Sequence, residues 1–208
     1  MAYFPFIMDI EDMDCLIVGG GNMALHKAGI LAEYNVNIHI VAASVCGSLV
    51  KLAESNKRID IKQKKFDGKD INGMDFVVVA TGDKALGVYI SKICKEQKIP
   101  VNVVDIKEAC SFIFPAIIHK EPLLAAISTG GSSPALAADI KKSVEKIIPD
   151  YYSCLAVNLE KTRKYVTTNT DNASTRKQVF EKLVLYGKEH SGEVTEDIAR
   201  KIMEECKI

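Results

Sequence analysis

From Cys15 to Val104 the chain alternates short apolar runs with longer segments whose apolar positions recur every three or four residues. The runs at 15–18, 36–41, 58–66, 76–80 and 100–105 predict strands, and the segments 23–34, 45–55 and 84–97 predict helices. In the first helix Leu25, Ala28, Leu31 and Ala32 share a side. The run from Phe76 to Ala80 is continuous and largely β-branched, as in strands covered on both faces. Residues 58–66 instead alternate and carry several lysines, which predicts a solvated edge. Residues 3–8, interrupted by Pro5, read as a further short edge strand. The order β-α-β-α-β-β-α-β predicts an α/β fold with a doubly wound parallel sheet.

After Asp105 the rhythm changes. Residues 111–118 and 122–127 are two apolar strands joined by a charged turn at 119–121, a hairpin pattern. Such a hairpin alone leaves apolar surface exposed, so a second copy of the chain is expected to cover it, as a homodimer. Ser133 and Pro134 then stand as N-cap and first residue of a helix reaching residue 148. Beyond Asp150 only helical patterns follow, at 151–167, 175–189 and 195–206, with Thr195 capping the last. The expected organisation is a Rossmann-type domain at 1–113, a hairpin-plus-helix dimerisation region at 114–148 and an all-helical domain at 149–208.

Composition narrows the class. Lysine plus arginine and aspartate plus glutamate number 27 each, so no global field draws the chain to nucleic acid or an anionic membrane. The six cysteines show neither C-x-x-C pairing nor metal-ligand spacing, which fits reduced thiols in a cytoplasmic protein and no bound metal. Residues 1–14 carry four acids and no base, unlike a signal peptide. The longest uncharged run, 122–138, is broken by Gly130, Gly131 and Pro134, so no membrane span is expected.

The strongest chemical signal lies where the first strand meets the first helix. Gly19, Gly21 and Ala24 follow the dinucleotide-binding spacing G-x-G-x-x-A. Gly19 permits a tight turn, Gly21 presents no Cβ to a pyrophosphate, and Ala24 lets the helix approach the strand. The helix N-terminus, with Asn22 and Met23, offers free amides and a partial positive charge. The second strand of such folds commonly ends in an acid that binds the ribose, about 20 residues beyond the glycines. Here the stretch is Val41-Ala42-Ala43-Ser44, so these residues leave NAD and NADP both open. Ser44 suits either a ribose hydroxyl or the N-cap of the following helix.

Ligands of open α/β sheets sit beyond the carboxyl ends of the strands. Thr81, Asn102 and Asp105 belong there as well. Asp105, ending an apolar strand, is expected to be held by rigid backbone and partly desolvated, which suits a general base or a capping residue. A second glycine loop, Ser128-Thr129-Gly130-Gly131-Ser132, opens a helix and offers amides and hydroxyls to an anion or simply starts that helix. His39 is expected to pack or to be solvated, and His119 and His190 to be solvated.

Taken together, Tyr3-Phe4-Pro5-Phe6, Val18-Gly19-Gly20-Gly21, Ala80-Thr81, Asn102-Val103-Val104-Asp105, Cys110-Ser111-Phe112-Ile113-Phe114-Pro115-Ala116 and Ile127-Ser128-Thr129-Gly130-Gly131-Ser132-Ser133-Pro134 occur in an order that resembles the precorrin-2 dehydrogenases of siroheme biosynthesis. The resemblance covers about residues 1–150. It implies NAD as the acceptor of a hydride from precorrin-2, giving sirohydrochlorin, with insertion of Fe²⁺ by a ferrochelatase activity in some members. It also implies Asp105 as the catalytic acid–base residue, and nucleotide contacts at Gly21, Asn22, Met23, Ala43, Ser44 and Thr81. The tetrapyrrole is implied near Asn102 and the Ser128–Ser132 loop of a homodimer. Two positions depart from the family pattern: His26 precedes Lys27 where an arginine is common, and Gly82 stands in the Ala-Thr-Asp-Asp turn. A nucleotide-sensing regulatory module is the competing class. It shares the glycine spacing, but usually carries the ribose acid and a strand-containing second domain.

Overall fold

A computed structural model describes residues 3–206 and divides the chain into two compact units, Met1–Ile113 and Phe114–Ile208. The first unit is a five-stranded parallel sheet with helices. Its elements are β1 (Asp14–Val18), α1 (Asn22–Ala32), β2 (Asn37–Ala42), α2 (Gly47–Ser55), β3 (Ile59–Gln63), β4 (Phe76–Val79), α3 (Lys84–Glu96) and β5 (Val101–Val103). The strand order is β3-β2-β1-β4-β5, with every pairing parallel. The order reverses between β1 and β4, so the crevice at a doubly wound sheet's switch point opens there. Leu16, Val18, Val77, Val79, Val101 and Val103 join Ile90 and Cys94 of α3 in one buried cluster. The β3–β4 connection contains no α-helix, only a 3-10 turn at Gly68–Ile71, closed by Asp67 and Asp70 capping each other's ends.

Local chemistry moves three boundaries from their expected places. Residues 3–8 form no strand: Pro5 brings no amide hydrogen, and Phe4, Phe6, Ile7 and Met8 lie exposed. The second helix begins at Gly47 with Cys46, not Ser44, as N-cap. The Cys46 N–H donates to the Gly20 carbonyl at 2.8 Å and holds the chain extended into that point. β5 stops at Val103, because Asp105 takes the left-handed conformation at φ 63° and turns the chain.

His39 on β2 sits with its Nε2 2.9 Å from the Asp14 carboxylate, so it is partnered at the strand surface.

The second unit opens with an antiparallel hairpin, β6 (Ala116–Lys120) and β7 (Leu123–Ile127). Residues 111–115 do not belong to it. Helices α4 (Pro134–Ile147), α5 (Tyr151–Thr168), α6 (Ala173–Glu189) and α7 (Glu196–Cys206) follow. Leu155, Val166, Val179, Leu183, Ala199 and Met203 form the core of α5 to α7. The hairpin and α4 are much less covered. Ile118 and Ala137 are buried, while Leu124, Leu136, Ile140 and Ile147 are exposed.

Candidate nucleotide site and the Asp105 turn

The glycine loop divides its work among three residues. Gly19 has φ 129°, and a Cβ there would lie 2.2 Å from the Ala80 carbonyl oxygen. A Cβ on Gly20 would lie 2.1 Å from the Ser44 carbonyl oxygen, so β1 and the loop after β2 meet through bare backbone. Around Gly21 there is no atom within 4 Å of the corresponding position. That open space lies directly before α1, whose N-cap is Gly21 itself, with no side chain capping the helix and no acid in its first turn. Gly21, Asn22 and Met23 are exposed, and Ala24 is fully buried where the helix meets the sheet. Uncapped amides, a helix dipole and room for a bulky anion are the features a pyrophosphate requires. These residues therefore fit a dinucleotide.

The remaining predicted nucleotide contacts lie at the same end of the sheet. Ala43 and Ser44 are exposed just past β2, and the Gln63 amide donates to the Ala43 carbonyl at 3.3 Å. Thr81 follows β4; its hydroxyl accepts from the Asp83 N–H at 3.2 Å, and Asp83 caps α3 by accepting from the Leu86 N–H at 3.0 Å. On α1, burial pulls the Lys27 ammonium below its ordinary pKa.

Asp105 differs from expectation. It is exposed rather than desolvated, and its carboxylate makes no hydrogen bond or ion pair with any described residue. The physical reason is the turn: two residues past β5, at positive φ, the side chain leaves the layer of packed residues. Asn102 differs in the opposite sense. Only 7% exposed, it donates its amide to the Phe112 carbonyl at 3.0 Å and lies 3.6 Å from the Cys110 sulfur.

In the second unit the Ser128–Ser132 loop is built around Thr129. Its hydroxyl accepts from the Ser133 N–H and donates to the Ser133 carbonyl, each at 3.0 Å. Ser128 Oγ accepts from the Gly130 N–H at 3.1 Å, and Gly130 and Gly131 take positive φ. Ser133 caps α4 by accepting from the Leu136 N–H at 3.2 Å, with Pro134 at the first position. Ser128, Gly131 and Ser132 are exposed.

Two contributors escaped the sequence pattern. Gly20 occupies a variable position of the fingerprint, and its need for hydrogen comes from a loop distant in sequence. Cys110 was legible only as a buried apolar residue, although it bonds to the turn carrying Asp105. Asp83 had a readable signal, an acid directly before a helical segment. Among the described residues no three His, Cys, Asp or Glu side chains are grouped to hold a metal ion, and no helix is long and apolar enough to cross a membrane.

Known proteins resemble this chain in sequence and in fold. The siroheme synthase of Thioalkalivibrio sulfidiphilus is 35% identical over 213 residues, covering 99% of this chain and 42% of that protein. The siroheme synthase of Methylococcus capsulatus is 39% identical over 156 residues, 75% of this chain and 33% of that protein. The chain thus spans about two fifths or less of the length of these relatives. Among solved structures, SirC, a precorrin-2 dehydrogenase, superposes with a TM-score of 0.72 at 22% identity, covering 99% of each chain, and so has the same fold. A family model described as "Putative NAD(P)-binding" matches residues 6–116, the stretch that holds the parallel sheet and its glycine loop. The chain belongs to that NAD(P)-binding family.

Proposed function

We propose that this chain is a precorrin-2 dehydrogenase that oxidises precorrin-2 to sirohydrochlorin with NAD in siroheme biosynthesis. The observation that carries the reading is the pairing, at one end of one sheet, of an uncapped glycine-rich helix start with the Asp105 carboxylate, which bonds to no described residue. The siroheme synthase relatives and the fold of SirC support the choice of substrate.

Gly19, Gly21, Asn22 and Met23 hold the pyrophosphate, while Ala43, Ser44 and Thr81 border the rest of the nucleotide. NAD bound there supplies the hydride acceptor. The protein's own part is then small: Asp105 Oδ takes the proton released as the tetrapyrrole loses its hydride. Bonded to no described residue, that carboxylate is available to a substrate without first breaking such a bond. Asn102 serves by holding the segment after β5, since its amide is already engaged. The amides and hydroxyls from Ser128 to Ser132 suit the carboxylates of a tetrapyrrole. The exposed apolar positions of the hairpin and α4 support a homodimer, with these residues as its seam. Fe²⁺ insertion is a further activity that the same Asp105 would serve.

The deciding experiment mixes the chain with NAD⁺ and anaerobically prepared precorrin-2, and follows the visible spectrum and NADH. Sirohydrochlorin and NADH appearing in equal amounts is the expected result; neither appearing sinks the proposal. Asp105→Asn is expected to cut kcat by on the order of 10²-fold with NAD⁺ affinity unchanged. Sedimentation at micromolar concentration is expected to report a dimer, and a monomer there removes the interface.

A further inference from the structure

β5 is an edge strand, and its outer side is not left open. A strand edge is normally completed by the backbone of another strand; here two side chains take its outward N–H groups, and the Ser111 backbone N–H takes the Val101 carbonyl. Ser111 Oγ accepts from the Val101 N–H at 2.7 Å, and the Ser111 N–H donates to the Val101 carbonyl at 2.8 Å. One ladder step further on, the Cys110 sulfur accepts from the Val103 N–H at 3.2 Å. Its thiol hydrogen has the Val103 carbonyl at 3.2 Å and the Ile106 carbonyl at 3.4 Å as acceptors. The sulfur thus bonds to residues on both sides of Asp105.

That placement adds to a turn that Ile106 anchors by packing against the core and by accepting from the Ala109 N–H at 3.1 Å. Asp105 holds a left-handed conformation that costs a residue with a Cβ, and its side chain bonds to nothing described. The Val104 N–H reaches the Val79 carbonyl at 2.9 Å, and the Ile106 N–H reaches the Val103 carbonyl only at 3.3 Å. Cys110 is 6% exposed, so the Val103 N–H it satisfies has little access to water. Burial pushes the Cys110 thiol pKa up, against the Val103 bond that lowers it, which keeps the sulfur protonated and able to donate.

We infer that Cys110 is a positioning residue: its thiol closes the edge of β5 and holds the turn that presents Asp105. The inference rests on the reading of Asp105 as the proton acceptor. It assigns the thiol no redox or nucleophilic role.

The test compares Cys110→Ala, Cys110→Val and Cys110→Ser in the full chain. Alanine and valine remove the hydrogen bonds, one leaving a gap and the other filling it, whereas serine keeps a donor and an acceptor. Amide hydrogen exchange at Val103 is expected to speed up about tenfold or more in the alanine and valine variants, relative to the amides of β4, and to recover in serine. With NAD⁺ and precorrin-2, kcat is expected to fall about tenfold in the first two, with KM for NAD⁺ unchanged, and to return to within about threefold in serine. Exchange at Val103 unchanged in both alanine and valine overturns the inference, whatever the turnover. Serine failing as badly as valine also overturns it, because packing would then be the cause. A loss confined to KM for NAD⁺ does the same. A wild-type chain that never oxidises precorrin-2 removes the functional reading instead, and leaves the exchange comparison to decide whether the thiol holds the turn.

Discussion

The Gly19 α-carbon lies so close to the Ala80 carbonyl that an added Cβ would stand 2.2 Å from the oxygen. The ends of β1 and β4, the two strands flanking the switch point, therefore touch through backbone alone, with Ala80 N–H donating to the Val18 carbonyl at 2.8 Å just before them. Gly19→Ala faces both this clash and a φ of 129°, and is expected to destabilise the fold by more than about 2 kcal/mol in chemical denaturation. Gly21→Ala meets no atom within 4 Å and is expected to leave stability within about 1 kcal/mol while weakening NAD⁺ binding at least tenfold. Equal loss of stability in both variants would contradict this division of labour, as would unchanged NAD⁺ titration in Gly21→Ala.

A second prediction concerns the 3-10 turn that replaces a helix between β3 and β4. Asp70 accepts from Lys64 Nζ at 2.6 Å and from the Asp67 N–H at 2.8 Å. Burial acts to raise its carboxyl pKa, but these bonds and the charges of Lys64 and Lys62 outweigh it, leaving the group below the ordinary aspartate value. A carboxylate depressed in the fold contributes stability above its unfolded pKa, about 3.9, and loses it as pH falls through the folded value. Asp70→Asn is therefore expected to cost about 1 kcal/mol at neutral pH. The difference should shrink as pH falls below about 4. Thermal melts across that range check it; a difference that persists at the acid end excludes the ion pair as its source.

In the second unit Leu183 of α6 is fully buried among Leu155, Val179, Ala199 and Met203. Leu183→Ala removes its packing and is expected to cost about 3 kcal/mol, read by helix ellipticity in denaturant. A cost near zero would mean this core is not formed in solution.

How much of this was readable beforehand depended on the distance over which each residue's role is set. β1 and β4 are visible because a central parallel strand must be apolar along nearly its whole length, β3 because its alternation marks a solvated edge, and Ser133-Pro134 because a cap is a local bond. Cys46 displacing Ser44 as a helix cap was not readable, since it follows from a bond to Gly20 far back in the chain. The exposure of Asp105 is hidden from the sequence for a similar reason. An apolar strand ending in an acid suggests desolvation, but the strand stops two residues earlier and the turn carries the carboxylate out.

The sequence by itself determined the parallel sheet, the glycine loop and the helical second half, because periodicity and steric need at Gly19 and Gly21 act over a few residues. Only the tertiary structure decided what surrounds them. It set Gly20 against Ser44, engaged the Asn102 amide with Phe112, and placed the Cys110 thiol across the turn of Asp105. Each of these depends on which backbone groups the folded sheet leaves unpaired at its ends and edges, and a linear pattern does not carry that information.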